Sequence, residues 1–138
     1  DRWAQLKPNP DSPCIFTKGL AVHGVLPMPV RHGEGKLVAR DAATLQRLQD
    51  ENLIALQYTH PETGEATQEH PWNPNGSPLA IAGLTDPTGH ILGLMPHPEA
   101  FHHATNHPGW TRGRDAVPGT ALFANAVRYL RENPVNHS

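Results

Sequence analysis

The apolar and polar residues of this chain alternate first with the period of a strand, then with that of a helix, several times over. Residues 13–19, PCIFTKG, make a short apolar run, and Cys14 within it is read as a strand residue. Residues 22–31, VHGVLPMPVR, predict a strand that Pro27 and Pro29 confine to an edge or irregular position, since proline brings no N–H to a ladder. Leu37 and Val38 resume the strand pattern after a glycine-rich turn, HGEGK, at 32–36. Asp41 suits the N-cap of a helix running to about Asn52, with Leu45 and Leu48 on one face and Asn52 as its stop. Ile54, Leu56 and Tyr58 alternate with Ala55, Gln57 and Thr59, as a half-buried strand does, and a polar loop fills 60–78.

The plainest element is a hairpin. LAIAGL at 79–84 and HILGLM at 90–95 flank TDPTG, whose Pro87 and Gly89 supply the fixed and the permissive backbone angles of a tight turn. A last helix is expected from about Thr120, with Leu122, Phe123, Ala126, Val127 and Leu130 on a shared face and Pro134 ending it. No internal repeat and no linker divides the 138 residues, so residues 1–138 are expected to form part of one α/β domain.

Composition narrows the function classes. With a formal net charge of -2 and 11 scattered Lys and Arg, the chain has no electrostatic footprint for nucleic acid or an anionic membrane surface, and no apolar run reaches membrane-spanning length. The lone cysteine, Cys14, leaves no internal disulfide and suits a reducing compartment, so the cytoplasm is the expected location. The 15 prolines and 12 glycines are spread along the chain and imply many turns. The sequence opens at Asp1 without methionine, which fits a piece of a longer protein and a processed or trimmed N-terminus equally. Of its histidines, His97, His102, His103 and His107 invite a zinc reading, but no helical spacing puts two on one face and no cysteine assists, so no metal site is expected.

The candidate chemistry lies in GLMPHPEA, residues 93–100. A strand end delivers His97 between Pro96 and Pro98, and Glu99 follows within reach. A histidine that moves protons needs one ring nitrogen fixed by a carboxylate or carbonyl, because that bond sets tautomer and orientation. A turn histidine bonded to its own loop would carry the same residues, and spacing alone leaves both readings open.

The wider sequence adds a resemblance. NPNGSPLAIAGLTDPTGHILGLMPHPE at 73–99 resembles the C-terminal signature of the glutaminase component of phosphoribosylformylglycinamidine synthase, and SPCIFTKG at 12–19 and LPMPVRHGEGKLV at 26–38 resemble earlier blocks of that family in the same order. The stretch from Phe101 to Gly119 fits least. The resemblance implies the second half of a class I glutamine amidotransferase, a three-layer α/β sheet fold with an antiparallel hairpin and a C-terminal helix. It further implies a Cys-His-Glu triad in which cysteine attacks the glutamine amide, histidine shuttles the proton and glutamate orients the histidine. His97 and Glu99 take the last two places. Cys14 lacks the glycine flanks of the family nucleophile and lies in a block that follows it, so the nucleophile-bearing half is expected to be absent and the fragment inactive alone.

In related amidotransferases the turn matching RHGEGK lies beside the glutamine pocket, which implies substrate-binding roles for His32, Gly33 and Glu34; a plain turn is the competing reading. The implied partners are glutamine and a synthetase subunit or domain of the same complex. ATP and magnesium belong on that partner, with no cofactor in this chain, and the ammonia would serve ATP-dependent amidation of formylglycinamide ribonucleotide in purine biosynthesis. Two alternatives stand beside this: a free-standing hydrolase using Cys14 and His97, and a non-catalytic module that docks to a synthetase.

Overall fold

The computed structural model describes residues 2–31, 33, 35–113 and 116–134. Its framework is a five-stranded sheet, antiparallel at every pairing, in the order β2-β1-β3-β4-β5, where β1 is Arg2–Pro8, β2 Leu26–Val30, β3 Ile54–Tyr58, β4 Ile81–Thr85 and β5 Leu92–Leu94. Two α-helices, α1 (Ala42–Asp50) and α2 (Thr120–Glu132), and several single 3-10 turns complete the described chain. Leu6, Leu26, Met28, Leu56, Tyr58 and Leu122 are the large buried members of one core. The mixed α/β architecture, the hairpin and the C-terminal helix agree with the sequence-based fold class.

β2 shows why an edge strand tolerates prolines here. Its register pairs Leu26, Met28 and Val30 with Leu6, Ala4 and Arg2 of β1, so Pro27 and Pro29 alternate with them. The outer edge of β2 therefore lacks donors at the prolines, and the Pro29 carbonyl is taken by the N–H of His97 at 2.8 Å. The strand is shorter than the predicted 22–31, because Leu20–His23 forms a 3-10 turn.

Several other expectations are corrected. Residues 13–19 contain turns and no strand, and Cys14 is a buried loop residue whose N–H donates to Ser12 Oγ at 3.3 Å. Leu37 and Val38 form no strand; the Leu37 N–H is instead bound by Ser77 Oγ at 3.1 Å. Leu79 and Ala80 precede β4 in a 3-10 turn with positive φ of 53° and 56°. β3 is buried on both faces except at Gln57, because it lies between β1 and β4 at the centre of the sheet. β1 itself was not anticipated.

The helices differ in how they attach. α1 follows the expected cap, with Asp41 Oδ1 accepting from the Thr44 N–H at 2.7 Å, and Asn52 stops it in a left-handed conformation at φ 55°. α2 starts where expected but turns a different face inward: Leu122 and Asn125 are buried, whereas Phe123, Val127 and Leu130 stay 48%, 48% and 56% exposed. The reason is the surface it meets. Segment 13–19 offers backbone carbonyls, and Asn125 Nδ2 donates to Phe16 O at 2.9 Å and to Lys18 O at 3.0 Å.

Candidate active site

The pair singled out in the sequence is built at the exit of β5. The Met95 N–H still bonds Ala82 O at 3.0 Å, Pro96 is buried, and the His97 N–H then crosses to Pro29 O on β2. Pro98–Ala100 closes as one 3-10 turn, its ends tied by Ala100 N–H to His97 O and Phe101 N–H to Pro98 O, each 3.1 Å. That turn folds Glu99 back onto the imidazole. His97 Nδ1 and Glu99 Oε1 lie 2.8 Å apart.

An ionised carboxylate only accepts hydrogen bonds, so Nδ1 carries the proton of the neutral ring and Nε2 is left as the basic nitrogen. Glu99 is held below the ordinary carboxylate range, first by the hydrogen bond from His97 and then by a backbone amide, with the Arg31 charge as a smaller contribution. Both side chains are more than a third exposed, 37% for His97 and 62% for Glu99, so this pair is open to solvent and not a packed core contact. A cleft of about 240 Å³ is lined by Arg2, Trp3, Pro29, Arg31, Ala100 and Asn106; it meets the site at Pro29, whose carbonyl holds the His97 N–H, and at Ala100, next to Glu99.

The other sequence candidates fall in different places. Gly33 is an exposed bend residue just past β2, and a Cβ there would meet nothing within 4 Å. His32 and Glu34 lie outside the described residues. Cys14 is buried beside the hairpin turn: the Ile15 N–H bonds Gly89 O at 3.0 Å, and Gly89, at φ 77°, approaches Pro13 so closely that a Cβ would stand 1.9 Å from its carbonyl oxygen. From Gly89 the chain runs the length of β5, Leu92–Leu94, before it reaches His97. Cys14 and His97 thus sit at opposite ends of β5.

The later histidines build loop structure. His103 Nδ1 accepts from the Thr105 N–H at 3.3 Å as the cap of Ala104–Asn106, His107 Nδ1 accepts from the Gly109 N–H at 3.0 Å, and the His107 ring packs against Trp3 with centroids 5.1 Å apart. Among the described residues no three His, Cys, Asp or Glu side chains converge as a metal site would require. Arg31, beside Glu99, was not singled out from the sequence as a site residue, and nothing in its local spacing marks it.

Comparison with known proteins places the chain in a family. Residues 1–130 match the model of the CobB/CobQ-like glutamine amidotransferase domain. The chain belongs to that family. Among curated relatives, phosphoribosylformylglycinamidine synthase subunit PurQ of Methanococcus maripaludis is 38% identical over 143 residues, covering 95% of this chain and 51% of the relative. The subunit of the same name from Dehalococcoides mccartyi is 36% identical over 133 residues, covering 95% and 49%. The one from Methanothrix thermoacetophila is 39% identical over 112 residues, covering 78% and 41%. The chain thus spans about half the length of the curated relatives it matches. The similarity to PurQ subunits of this synthase agrees with the sequence resemblance. Among the described residues no helix is long and apolar enough to cross a membrane.

Proposed function

We propose that this chain supplies the histidine and glutamate of a glutaminase centre that feeds ammonia to the amidation of formylglycinamide ribonucleotide. The observation that carries the reading is the 2.8 Å contact between His97 Nδ1 and Glu99 Oε1 in an open, doubly anchored turn. With Nδ1 fixed, Nε2 takes the proton from a cysteine thiol and returns it to the departing ammonia, while Glu99 stabilises the imidazolium in between. The nucleophile comes from outside these residues, since Cys14 is buried at the other end of β5. The cleft that Arg2 and Arg31 help to line suits the carboxylate end of glutamine. His32, Gly33 and Glu34 are proposed to border the same substrate, a synthetase subunit or domain to hold ATP and magnesium, and the cytoplasm to be the site of action.

The test is His97→Ala in the complete synthase. Glutamine-dependent synthesis should fall by several powers of ten, with synthesis from added ammonia preserved. Equal loss from both nitrogen sources overturns the reading. The 138-residue chain alone should release no ammonia from glutamine; turnover that disappears on Cys14→Ser would instead support the free-standing hydrolase. One observation favours a docking module, the half-exposed Phe123, Val127 and Leu130 along α2. That reading prevails if His97→Ala leaves glutamine use intact.

A further inference from the structure

We propose that Gly119 is a positioning residue for the His97–Glu99 pair: it lets the start of α2 press directly on the turn that carries Glu99, with no side chain between. Its backbone angles, φ -59° and ψ -24°, are ordinary right-handed helical values that any residue adopts. Glycine is therefore not required there for conformational freedom. Space is the requirement. A Cβ on Gly119 would stand 2.1 Å from Pro98 O and 2.6 Å from Pro98 C and Cα, while the Gly119 N–H already donates to Phe101 O at 2.8 Å. The helix start forgoes a capping side chain, a place where Ser, Thr, Asp or Asn is preferred, in favour of this contact.

The turn is thus clamped from two sides. On one side the His97 N–H is held by Pro29 O of β2; on the other the Gly119 N–H holds the carbonyl of Phe101, and no room remains for a Cβ beside Pro98. α2 cannot easily retreat from an added methyl group, because Leu122 is in the core, Asn125 is bonded to Phe16 O and Lys18 O, and the Tyr129 hydroxyl meets His90 Nε2 at 3.0 Å. The compliant element is the single turn Pro98–Ala100, so displacement falls on Glu99 while the His97 backbone stays fixed. What changes is the carboxylate–imidazole contact. The consequence for rate rests on the glutaminase reading; the structural claim does not.

The experiment records ring ¹⁵N spectra of His97 in this chain and in Gly119→Ala, with melting followed in parallel. Wild type should show the Nδ1-protonated tautomer. The variant should lose that bias and let the Glu99 carboxyl titrate closer to its ordinary range. An unchanged His97 tautomer and an unchanged Glu99 titration in a folded Gly119→Ala overturn the proposal. Should the variant not fold, the wild-type chain decides: the Gly119 amide resonance must move as Glu99 titrates, and a Gly119 signal indifferent to that titration overturns the proposal. In the complete synthase, Gly119→Ala should lower kcat with glutamine on the order of 10²-fold with KM little changed and ammonia use intact. If His97→Ala spares glutamine use while Gly119→Ala still alters the His97 tautomer, the functional reading fails and the positioning claim stands.

Discussion

The two ends of the β4–β5 hairpin each hold a carboxylate against a close neighbour, and they use it differently. At the turn, Asp86 accepts from the Ile91 N–H at 3.0 Å, from the Thr88 N–H at 3.1 Å and from the Thr88 hydroxyl. At the exit of β5, Glu99 faces the Nδ1 of His97. A carboxylate surrounded by its own backbone N–H groups shapes a turn and has no further reach. One aimed at an imidazole sets which ring nitrogen carries the proton. The histidines repeat the contrast. His60, His103 and His107 each accept a backbone N–H at Nδ1, which puts the proton on Nε2, the reverse of His97.

The largest effect should come from removing one carboxylate against the other in the complete synthase. Glu99→Gln permits the wrong tautomer at His97, and glutamine-dependent synthesis should fall on the order of 10²- to 10⁴-fold with ammonia-dependent synthesis unchanged. Asp86→Asn should change either rate only a few-fold at most, since Asp86 bonds its own turn. Comparable losses of glutamine-dependent rate in the two variants would break the distinction between the ends of the hairpin.

The histidine contrast is sharpened by stability. His107→Ala removes an edge-to-face contact with Trp3, a ring contact with Phe101 and the acceptor of the Gly109 N–H, so denaturant unfolding of this chain should show a loss of about 1–2 kcal/mol. His97→Ala, whose side chain is 37% exposed and whose backbone bond to Pro29 survives the substitution, should cost less. The reverse order would make His97 the structural histidine.

What the sequence made legible was local. The hairpin, the proline-bearing edge strand, the Asp41 cap and the reach of Glu99 to His97 each depend on residues a few positions apart, and each was found. β1 escapes a sequence reading because its inward alternation is carried only by the small Ala4, Leu6 and the ladder-breaking Pro8, and its pairing is set by strands at 26–30 and 54–58. The inward face of α2 was misread because hydrophobic periodicity cannot register that the opposing surface consists of the Phe16 and Lys18 carbonyls, which select Asn125. Gly119 is invisible for the same reason: the clash that excludes a side chain is with Pro98, distant in sequence and adjacent only once folded.

The smallest effect, and the finest separation of the two carboxylates, lies in acid. Asp86 titrates at about 2 in the folded chain against an ordinary 3.8, lowered first by the Thr88 hydroxyl, then by the backbone N–H groups around it. A depressed folded pKa means that the unfolded chain binds the proton more readily, so this group contributes stability above pH 3.8 that is lost as pH falls through about 2. The Tm of wild type should therefore exceed that of Asp86→Asn by a constant margin from neutrality down to about pH 4, and the margin should close towards pH 2. Glu99 is lowered in the same direction, so Glu99→Gln follows the same sign, its margin closing as pH drops below the ordinary range of a glutamate. That margin should be the narrower of the two, because the Glu99 carboxylate is 62% exposed, with the His97 ring as its main donor, while Asp86 accepts from the Thr88 hydroxyl and several backbone N–H groups. A Glu99→Gln margin as wide as that of Asp86→Asn would mean that Glu99, too, serves chiefly to fold its turn.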